Sequence, residues 1–402
     1  MTWHILTGEY PPRPGGVADY SASIAEGLAQ AGETVHVWTA DPQAVAGAEV
    51  PTDGPGPVVH RWAGGWRRAD LERLGAAIGA TPGPRRLLVQ YTPNAWGLKG
   101  RNLAFGPWLV GRRRRGDDVW AMIHEPYYPW RLRTKPTRWL LAAIHRVMMY
   151  DLFRACSRFF VASETYLDRL RPYDPGRARP MTWAAIPSAL PTRDRVDAAA
   201  VAELRRRLAP EGGPLVGHFG TFGGSTESPL RAMLPRLLAD APGRRAVLVG
   251  RGGGEFAAGL VAAHPGLSGR AEATGGLEAA DAAVHLAACD VLIQPYSDGI
   301  STRRSSAMAG LGLGMPMVTC RGVNTEPLWE ESGGVSLADS EAGMVAAVEA
   351  LLADPDGRDR LGRRALDLYE RRFAAARTIE KLLDAADAGG PAPSRQAVES
   401  RA

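Results

Sequence analysis

Short apolar runs recur along the chain and alternate with segments whose apolar residues have helical spacing. In the first half these runs are 3–7, 35–39, 86–92, 118–124 and 158–163. Residues 17–32, between the first two runs, combine helical spacing with a closing glycine, Gly32. Alternation of this kind predicts βαβ units and a parallel sheet.

The pattern is interrupted at a proline- and charge-rich segment, 184–197, and then begins again. The second set of apolar runs is 213–222, 244–254, 289–296 and 314–320, followed by helical patterns at 339–353 and 358–388. Two doubly wound α/β domains are therefore predicted, which agrees with a length of 402 residues. The predicted boundaries are an N-terminal domain at 1–190, a linker at 191–212, a C-terminal domain at 213–372, a last helix at 373–388 and a disordered tail at 389–402.

Composition narrows the classes of protein and of partner. Hydrophobic residues are 45% and charged residues 23%, as in ordinary globular proteins. The net charge of +5 suits a phosphate-bearing ligand or an anionic membrane face. No nucleic acid partner is expected, because no recognised nucleic-acid-binding motif accompanies the charge.

Other features bear on location. Cys156, Cys289 and Cys320 are widely spaced, without metal-ligand spacing, as expected of thiols in a reducing cytosol. The N-terminus lacks the pattern of a signal peptide, and no apolar run is long enough to span a bilayer. A cytoplasmic location is predicted, with attachment to the inner membrane face as an alternative.

Three polar or glycine-rich turns follow predicted strands, where ligands bind in doubly wound sheets. They are "GEYPPRPGGVADY" (8–20), "HFGTFGG" (218–224) and "SDGISTRRSSAMAGLGLGMP" (297–316). Adjacent glycines let a backbone approach a phosphate closely, although each turn also has a plain reading as a connection. We expect the three turns to line one cleft between the two domains.

Three segments resemble the signature segments of family 4 of the retaining, nucleotide-sugar-dependent glycosyltransferases. They are "PPRPGGVADY" (11–20), "HEPYYPW" (124–130) and "DGISTRRSSAMAGLGLGMPMV" (298–318), and the resemblance extends over about 5–385. It implies the GT-B fold of two facing Rossmann-like domains, with the last helix crossing back to the first domain. It also implies transfer of a sugar from a nucleotide-diphosphate sugar to an acceptor with retention, with no bound metal and no cofactor other than this co-substrate.

The resemblance and the turns together predict a set of site residues. His124 and Asp298 are the expected catalytic residues, Ser306 the ribose contact, and Glu9, Asp19 and Glu125 the acceptor contacts. The expected contacts to the donor diphosphate are Gly15, Gly16, Gly220, Thr221, Gly299, Ile300, Ser301, Thr302, Arg303 and Arg304. Simpler roles stay open: Ser301 and Thr302 as helix caps, Arg304 as a solvated side chain, and His124 as a structural hydrogen-bonding residue.

The chain also departs from the family pattern. The family has two acidic residues separated by seven, whereas this chain has Asp298 and Ser306 at those positions, and a serine makes fewer contacts to a ribose. The arginine and lysine that usually follow the first strand of the second domain are absent from 220–230. Arg303 and Arg304, placed in the first turn of a helix, are expected to replace them. The alternative is a degenerate GT-B protein that binds a nucleotide sugar or a partner without transfer; an epimerase is a weaker third candidate.

One further region concerns partners. Residues 111–116 ("GRRRRG") and 130–153 place basic and aromatic residues near an apolar helix. The region is interpreted either as a surface that docks on an anionic membrane or as a helix buried in its domain. The sequence favours the buried helix, because apolar residues occur on nearly every face.

Overall fold

The computed structural model describes residues 1–13, 15–41, 49–50, 56–62, 64–130, 135–224, 226–239 and 241–388. The chain forms two compact units. The first comprises Met1–Ala162, Tyr166–Ala185 and the C-terminal segment from Ala375, and the second comprises Ser163–Thr165 and Ile186–Ala374. The predicted tail at 389–402 lies outside the described residues.

The first unit is a sheet in the order β3-β4-β2-β1-β5-β6-β7-β8, parallel except for the pair β3 and β4. Its strands are β1 (Thr2–Thr7), β2 (Thr34–Ala40), β3 (Glu49–Val50), β4 (Val58–Trp62), β5 (Arg85–Tyr91), β6 (Asp118–Ile123), β7 (Arg158–Val161) and β8 (Met181–Trp183). Its helices up to the second unit are α1 (Gly16–Gln30), α2 (Arg68–Ala80), α3 (Phe105–Arg114), α4 (Pro136–Ala155) and α5 (Thr165–Leu170). The central strands are buried on both faces, as expected of a parallel sheet between helix layers.

The second unit is a six-stranded parallel sheet in the order β11-β10-β9-β12-β13-β14. Its strands are β9 (Leu215–Phe219), β10 (Arg245–Val249), β11 (Ala271–Gly275), β12 (Val291–Gln294), β13 (Met317–Cys320) and β14 (Ser336–Ala338). Its helices are α6 (Ala198–Leu208), α7 (Glu227–Ala239), α8 (Gly253–Ala263), α9 (Ala279–Ala287), α10 (Ser305–Gly312), α11 (Leu328–Glu331), α12 (Glu341–Ala353) and α13 (Pro355–Leu368). Two Rossmann-like α/β units are thus confirmed.

Two predicted segments have a different form in the structure. Half of 191–212, the predicted linker, is helix α6, whose Leu204 and Leu208 are buried in the second unit. The helical pattern at 358–388 is α13, a π-helical turn at Tyr369–Phe373 and a separate helix α14 (Ala375–Ala388), which lies within the last helix predicted at 373–388. The break coincides with the return of the chain to the first unit at Ala375.

Helix α14 packs closely on α1 at Gly27. A Cβ there would lie 1.9 Å from Ile379 Cδ1, so a larger residue would force the Ile379 side chain to move. Thr378 Oγ1 donates to Ala185 O at 3.1 Å and Lys381 Nζ to Trp183 O at 2.9 Å. These bonds fix α14 to the end of β8.

Candidate functional site

The order of strands in the second unit indicates where a ligand would bind, at the end of the sheet where the carboxyl termini of β9 and β12 lie, which we call its carboxyl edge. The chain runs from β9 to β10 on one side and later places β12 on the other side of β9. Ligands of doubly wound folds bind at such a switch point, outside the carboxyl ends of the two strands. Here that position is formed by His218–Gly220 at the end of β9 and by Gln294–Tyr296 at the end of β12.

Several polar atoms at this edge are buried but unpaired. Among the described residues, His218 Nε2, Gln294 Oε1 and Ser301 Oγ are buried without a hydrogen-bond partner. His218 Nδ1 lies 2.9 Å from Ile293 O, and burial lowers the pKa of His218 to about 4. Since buried polar groups are nearly always satisfied, a cluster of unsatisfied ones indicates a place for a polar ligand.

A hydroxyl-rich loop, 298–304, approaches this edge and is held by a second loop, 322–325. Gly299 has φ +88°, and a Cβ there would lie 2.4 Å from Thr325 Oγ1 and 2.6 Å from Gly322 N. Ile300 is buried, and its N–H donates to Cys320 O at 3.2 Å. A glycine is therefore required at 299, because both its conformation and its surroundings exclude a side chain.

The buried carboxylate of Glu326 fixes the loop. It accepts from Thr302 Oγ1 at 2.9 Å, from Thr302 N at 3.0 Å, from Ser163 Oγ at 2.8 Å and from Trp329 Nε1 at 2.8 Å. Thr302, a predicted diphosphate contact or helix cap, thus has both donors directed to Glu326. Sequence reasoning missed Glu326, because nothing in "NTEPLWEE" distinguishes it from its exposed neighbours Glu330 and Glu331.

The two arginines lie before the helix that follows, not in its first turn as predicted. Helix α10 begins at Ser305, and Arg304 is its N-cap residue. Arg304 forms an ion pair with Asp298 Oδ1, and its guanidinium carbon lies 4.5 Å from the ring centre of Tyr296. Arg304 therefore neutralises the predicted catalytic carboxylate, while the side chain of Arg303 is exposed.

The residue at the ribose position is also engaged. Ser306 Oγ lies 2.7 Å from Tyr296 OH, and burial raises the pKa of that phenol, which stays protonated. Asp298 Oδ2 accepts from Asn324 Nδ2 at 2.9 Å. Asp298, Arg304, Tyr296 and Ser306 form one connected polar group between β12 and α10.

The turn after β9 places the predicted residues Gly220 and Thr221 at the same edge. Gly220 N–H donates to Val249 O at 3.0 Å, and a Cβ on Gly250 would lie 1.9 Å from Gly220 O. The two glycine turns after β9 and β10 therefore pack backbone against backbone. Thr221 is exposed beyond them.

In the first unit, the predicted His124 follows β6 and is buried. Its Nε2 lies 2.8 Å from Gln90 Oε1, which can only accept, so Nε2 carries the proton. The ring packs edge-on against Tyr20, with centroids 4.8 Å apart. Burial lowers the pKa of His124 to about 3, so the imidazole is neutral near pH 7.

The glycine pair before α1 has a carboxylate beside it. A Cβ on Gly15 would lie 2.5 Å from Glu9 Oε1, so Glu9 lies at the N-terminus of α1, where the helix dipole favours an anion. A phosphate at Gly15 would face that negative charge. Two other predicted residues lie at the start of α1: Gly16 is exposed, and Asp19 is in the first turn, where partial burial raises its pKa. The predicted acceptor residue Glu125, which follows His124 after β6, is exposed.

Two further observations concern the described residues. They contain no group of three or more His, Cys, Asp or Glu side chains arranged to hold a metal ion. None of their helices combines the length and the apolar character needed to cross a membrane.

A cavity of about 730 Å³ in the second unit is lined by residues such as Cys289, Asp290 and Met315, at the amino ends of β12 and β13. It lies opposite the edge where ligands of this fold bind.

Comparison with known proteins places the fold. Residues 227–384 match the glycosyl transferase-like family. No curated protein sequence is significantly similar to the chain.

Solved structures resemble the chain over nearly its whole length. Sucrose-phosphate synthase from Thermosynechococcus elongatus has a TM-score of 0.69 at 17% identity, covering 97% of this chain and 100% of that one. Anabaena HepE, solved with UDP, has a TM-score of 0.68 at 14% identity, covering 96% and 100%. WaaG, a glycosyltransferase involved in lipopolysaccharide biosynthesis, has a TM-score of 0.61 at 15% identity, covering 96% and 99%. The chain therefore has the fold of GT-B glycosyltransferase structures, and its second unit carries a glycosyl transferase-like sequence.

Replacing Glu326 is expected to loosen loop 298–304. In Glu326→Ala, Thr302 and Ser163 lose their bonds to the carboxylate, and the buried Trp329 indole loses its acceptor. A buried donor left unsatisfied costs about 1–3 kcal/mol. The free energy of unfolding, measured by urea titration, should therefore fall by about 1–3 kcal/mol. Glu330→Ala is the matched control, since Glu330 is exposed and pairs with Arg321, and it should lower that free energy by less than about 1 kcal/mol. A Glu326→Ala protein as stable as the wild type contradicts this role.

The buried His124 is expected to make the fold less stable below pH 6.5. The unfolded chain binds a proton at an ordinary histidine pKa of about 6.5, whereas the folded state does so only near pH 3. Because the unfolded state binds more protons in between, His124 alone should remove about 2 kcal/mol of stability between pH 7 and pH 5. Urea unfolding at both pH values should show that His124→Gln loses about 2 kcal/mol less than the wild type.

His264→Gln is the control, because His264 is exposed. Its loss of stability between pH 7 and pH 5 should equal that of the wild type. Equal losses in the wild type and His124→Gln show that His124 does not carry this dependence.

Proposed function

We propose that the protein is a glycosyltransferase that transfers a sugar from a nucleotide-diphosphate sugar to an acceptor. The observation that carries the proposal is the group of buried, unpaired polar atoms of His218, Gln294 and Ser301 at the switch point of the second unit. That unit matches the glycosyl transferase-like family from residue 227 onward. HepE, which shares the fold, has been solved with UDP and with UDP-glucose, which favours a uridine nucleotide as the first donor to test.

The proposed donor site lies in the second unit and the acceptor site in the first. Negative charge develops on the leaving diphosphate as the glycosidic bond breaks, so a cation beside it stabilises the transition state. We assign that cation to Arg303, because its side chain is exposed at the end of loop 298–304, next to the N-terminus of α10. The helix N-terminus at α10 adds backbone N–H groups with the same preference for anions.

Retention and independence of metal complete the proposal, on the strength of the sequence resemblance. In front-face attack, a phosphate oxygen of the donor accepts the acceptor's proton while the bond to the leaving group opens, so the protein mainly orients the substrates. The neutral imidazole of His124 suits a hydrogen bond to a sugar hydroxyl better than proton transfer, because its lowered pKa lies far from neutral pH. Among the acceptor residues, Glu9 and Asp19 lie at the start of α1.

A degenerate binding protein remains the second candidate, and one observation favours it. The pairing of Arg304 with Asp298 removes both one expected cation and the free carboxylate of the motif. Slow hydrolysis of UDP-glucose without acceptor, unaffected by a chelator of divalent metals, supports a metal-independent transferase. UDP binding without turnover against a broad panel of acceptors supports the binding protein.

Arg303 provides the direct test of the diphosphate site. A charge-assisted hydrogen bond contributes about 1.5–3 kcal/mol, so Arg303→Ala should weaken UDP binding at least about tenfold. Affinity for free uridine should stay within about twofold, since the nucleoside has no phosphate. Arg236→Ala on the exposed side of α7 removes the same charge elsewhere and should leave both affinities unchanged. Unchanged UDP affinity in Arg303→Ala overturns the assignment.

Ser306 tests which end of the donor lies beside Tyr296. A serine already bonded to Tyr296 OH cannot hold two ribose hydroxyls, so the wild type should discriminate little between uridine and 2′-deoxyuridine diphosphates. Ser306→Glu should raise the preference for the ribonucleotide about tenfold, because a carboxylate accepts from both hydroxyls. Ser305→Glu adds the same charge one residue away and should not change the preference. Calorimetry showing a hundredfold preference already in the wild type would exclude this account.

A further inference from the structure

Helix α4 of the first unit has a buried face and an exposed apolar face. The buried face includes Ala142, His145, Met149 and Leu152. The opposite face carries large apolar side chains in the open: Leu140 is 58% exposed, Val147 51% and Tyr150 58%. The sequence-based preference for a helix buried on all sides is therefore wrong for this face.

Aromatic residues extend the exposed face beyond the start of the helix. Trp130 and Trp139 are 45% and 40% exposed, and their ring centroids are 5.0 Å apart. The guanidinium carbon of Arg146 lies 4.5 Å from the ring centre of Trp130. We call Trp130, Trp139, Leu140, Val147 and Tyr150 the α4 patch.

Basic residues surround the α4 patch. Helix α4 and the residue before it contain Lys135, Arg138, Arg146 and Arg154, and Asp151 is the only acidic residue of α4. Helix α3 lies beside α4, since Arg113 Nη1 donates to Arg154 O at 3.2 Å. It adds two exposed basic residues, Arg113 and Arg114. The patch is therefore a strip of apolar and aromatic side chains bordered by positive charge.

We propose that the α4 patch docks on the surface of a bilayer that contains anionic lipids. Tryptophan and tyrosine place their rings at the level of the headgroups, and leucine and valine reach the acyl boundary. The surrounding arginines complement the lipid phosphates. The charge complementarity, together with the aromatic pair, identifies the occupant as lipid and not as a second copy of this chain, whose own α4 patch carries the same positive charge.

Vesicle sedimentation tests the docking independently of the proposed activity, because it needs neither donor nor acceptor. The full chain should bind mixed phosphatidylglycerol and phosphatidylcholine vesicles and should bind pure phosphatidylcholine vesicles at least about tenfold more weakly. Raising the salt concentration should weaken binding to the anionic vesicles. Equal binding to both kinds of vesicle, or no binding to either, overturns the proposal.

Variants on the exposed face locate the contact. Leu140→Glu combined with Val147→Glu removes apolar contact and adds repulsion, so binding to anionic vesicles should fall at least about tenfold. Ala258→Glu combined with Ala280→Glu adds the same charge at exposed helical positions of the second unit and should leave binding unchanged. Circular dichroism and melting temperature should match the wild type for both double variants.

Sedimentation velocity without lipid excludes the alternative occupant. A monomer whose vesicle binding depends on Leu140 and Val147 supports docking on lipid. A dimer that the Leu140→Glu and Val147→Glu substitutions dissociate assigns the α4 patch to a second copy and overturns the proposal. Unchanged vesicle binding in that double variant overturns it as well.

Discussion

The hydrogen bonds to the buried carboxylate of Glu326 hold the candidate donor site together. This one side chain binds both donors of Thr302, the hydroxyl of Ser163 and the indole of Trp329. A buried carboxylate is costly unless its lone pairs are satisfied, and four donors satisfy it here. The position of loop 298–304 at the ends of β9 and β12 therefore depends on a residue that lies outside the loop.

Charge compensation shapes the same region. Arg304 connects three side chains of the polar group, because it forms an ion pair with Asp298 and stacks over the ring of Tyr296. An arginine already paired this way has less charge to offer a diphosphate, since its carboxylate partner opposes an incoming anion. The proposed role in stabilising the leaving group is assigned to Arg303, whose side chain is exposed.

In the first unit, burial decides the protonation state of His124, and exposure decides the role of the apolar residues of α4. The resemblance and the position after an apolar run predict a role for His124, and the structure encloses its ring between Gln90 and Tyr20. The resulting loss of basicity makes it a neutral hydrogen-bonding group. Helix α4 presents the reverse case, because apolar side chains that a pattern assigns to the interior lie on the surface. Hydropathy alone cannot separate a core from a docking surface, since both need the same residues.

The hydrophobic pattern determined the fold class, because alternating buried strands and helices leave few packing arrangements other than parallel α/β sheets. It located β1, β2, β5, β6, β7, β9, β10, β12 and β13 within a few residues, since each lies in a short apolar run. It missed β3, β4, β8, β11 and β14, which lie at the edges of the sheets or next to them, because these strands are short or polar and their pattern is weak. It also located the loop at 298–304, since polar turns after buried strands stand out against apolar flanks.

Only the tertiary structure decided which polar groups in that loop have partners. Glu326 bonds to Ser163, a residue 163 positions away in the chain, and Arg304 pairs with a residue only six positions away. Neither pairing has a periodicity or a motif, because hydrogen bonds depend on distances in space and not on spacing in sequence. The burial of His124 is likewise a tertiary property, because Gln90 and Tyr20 from other elements enclose its ring. The outer face of α4 is exposed because its large apolar side chains are not covered by the described residues.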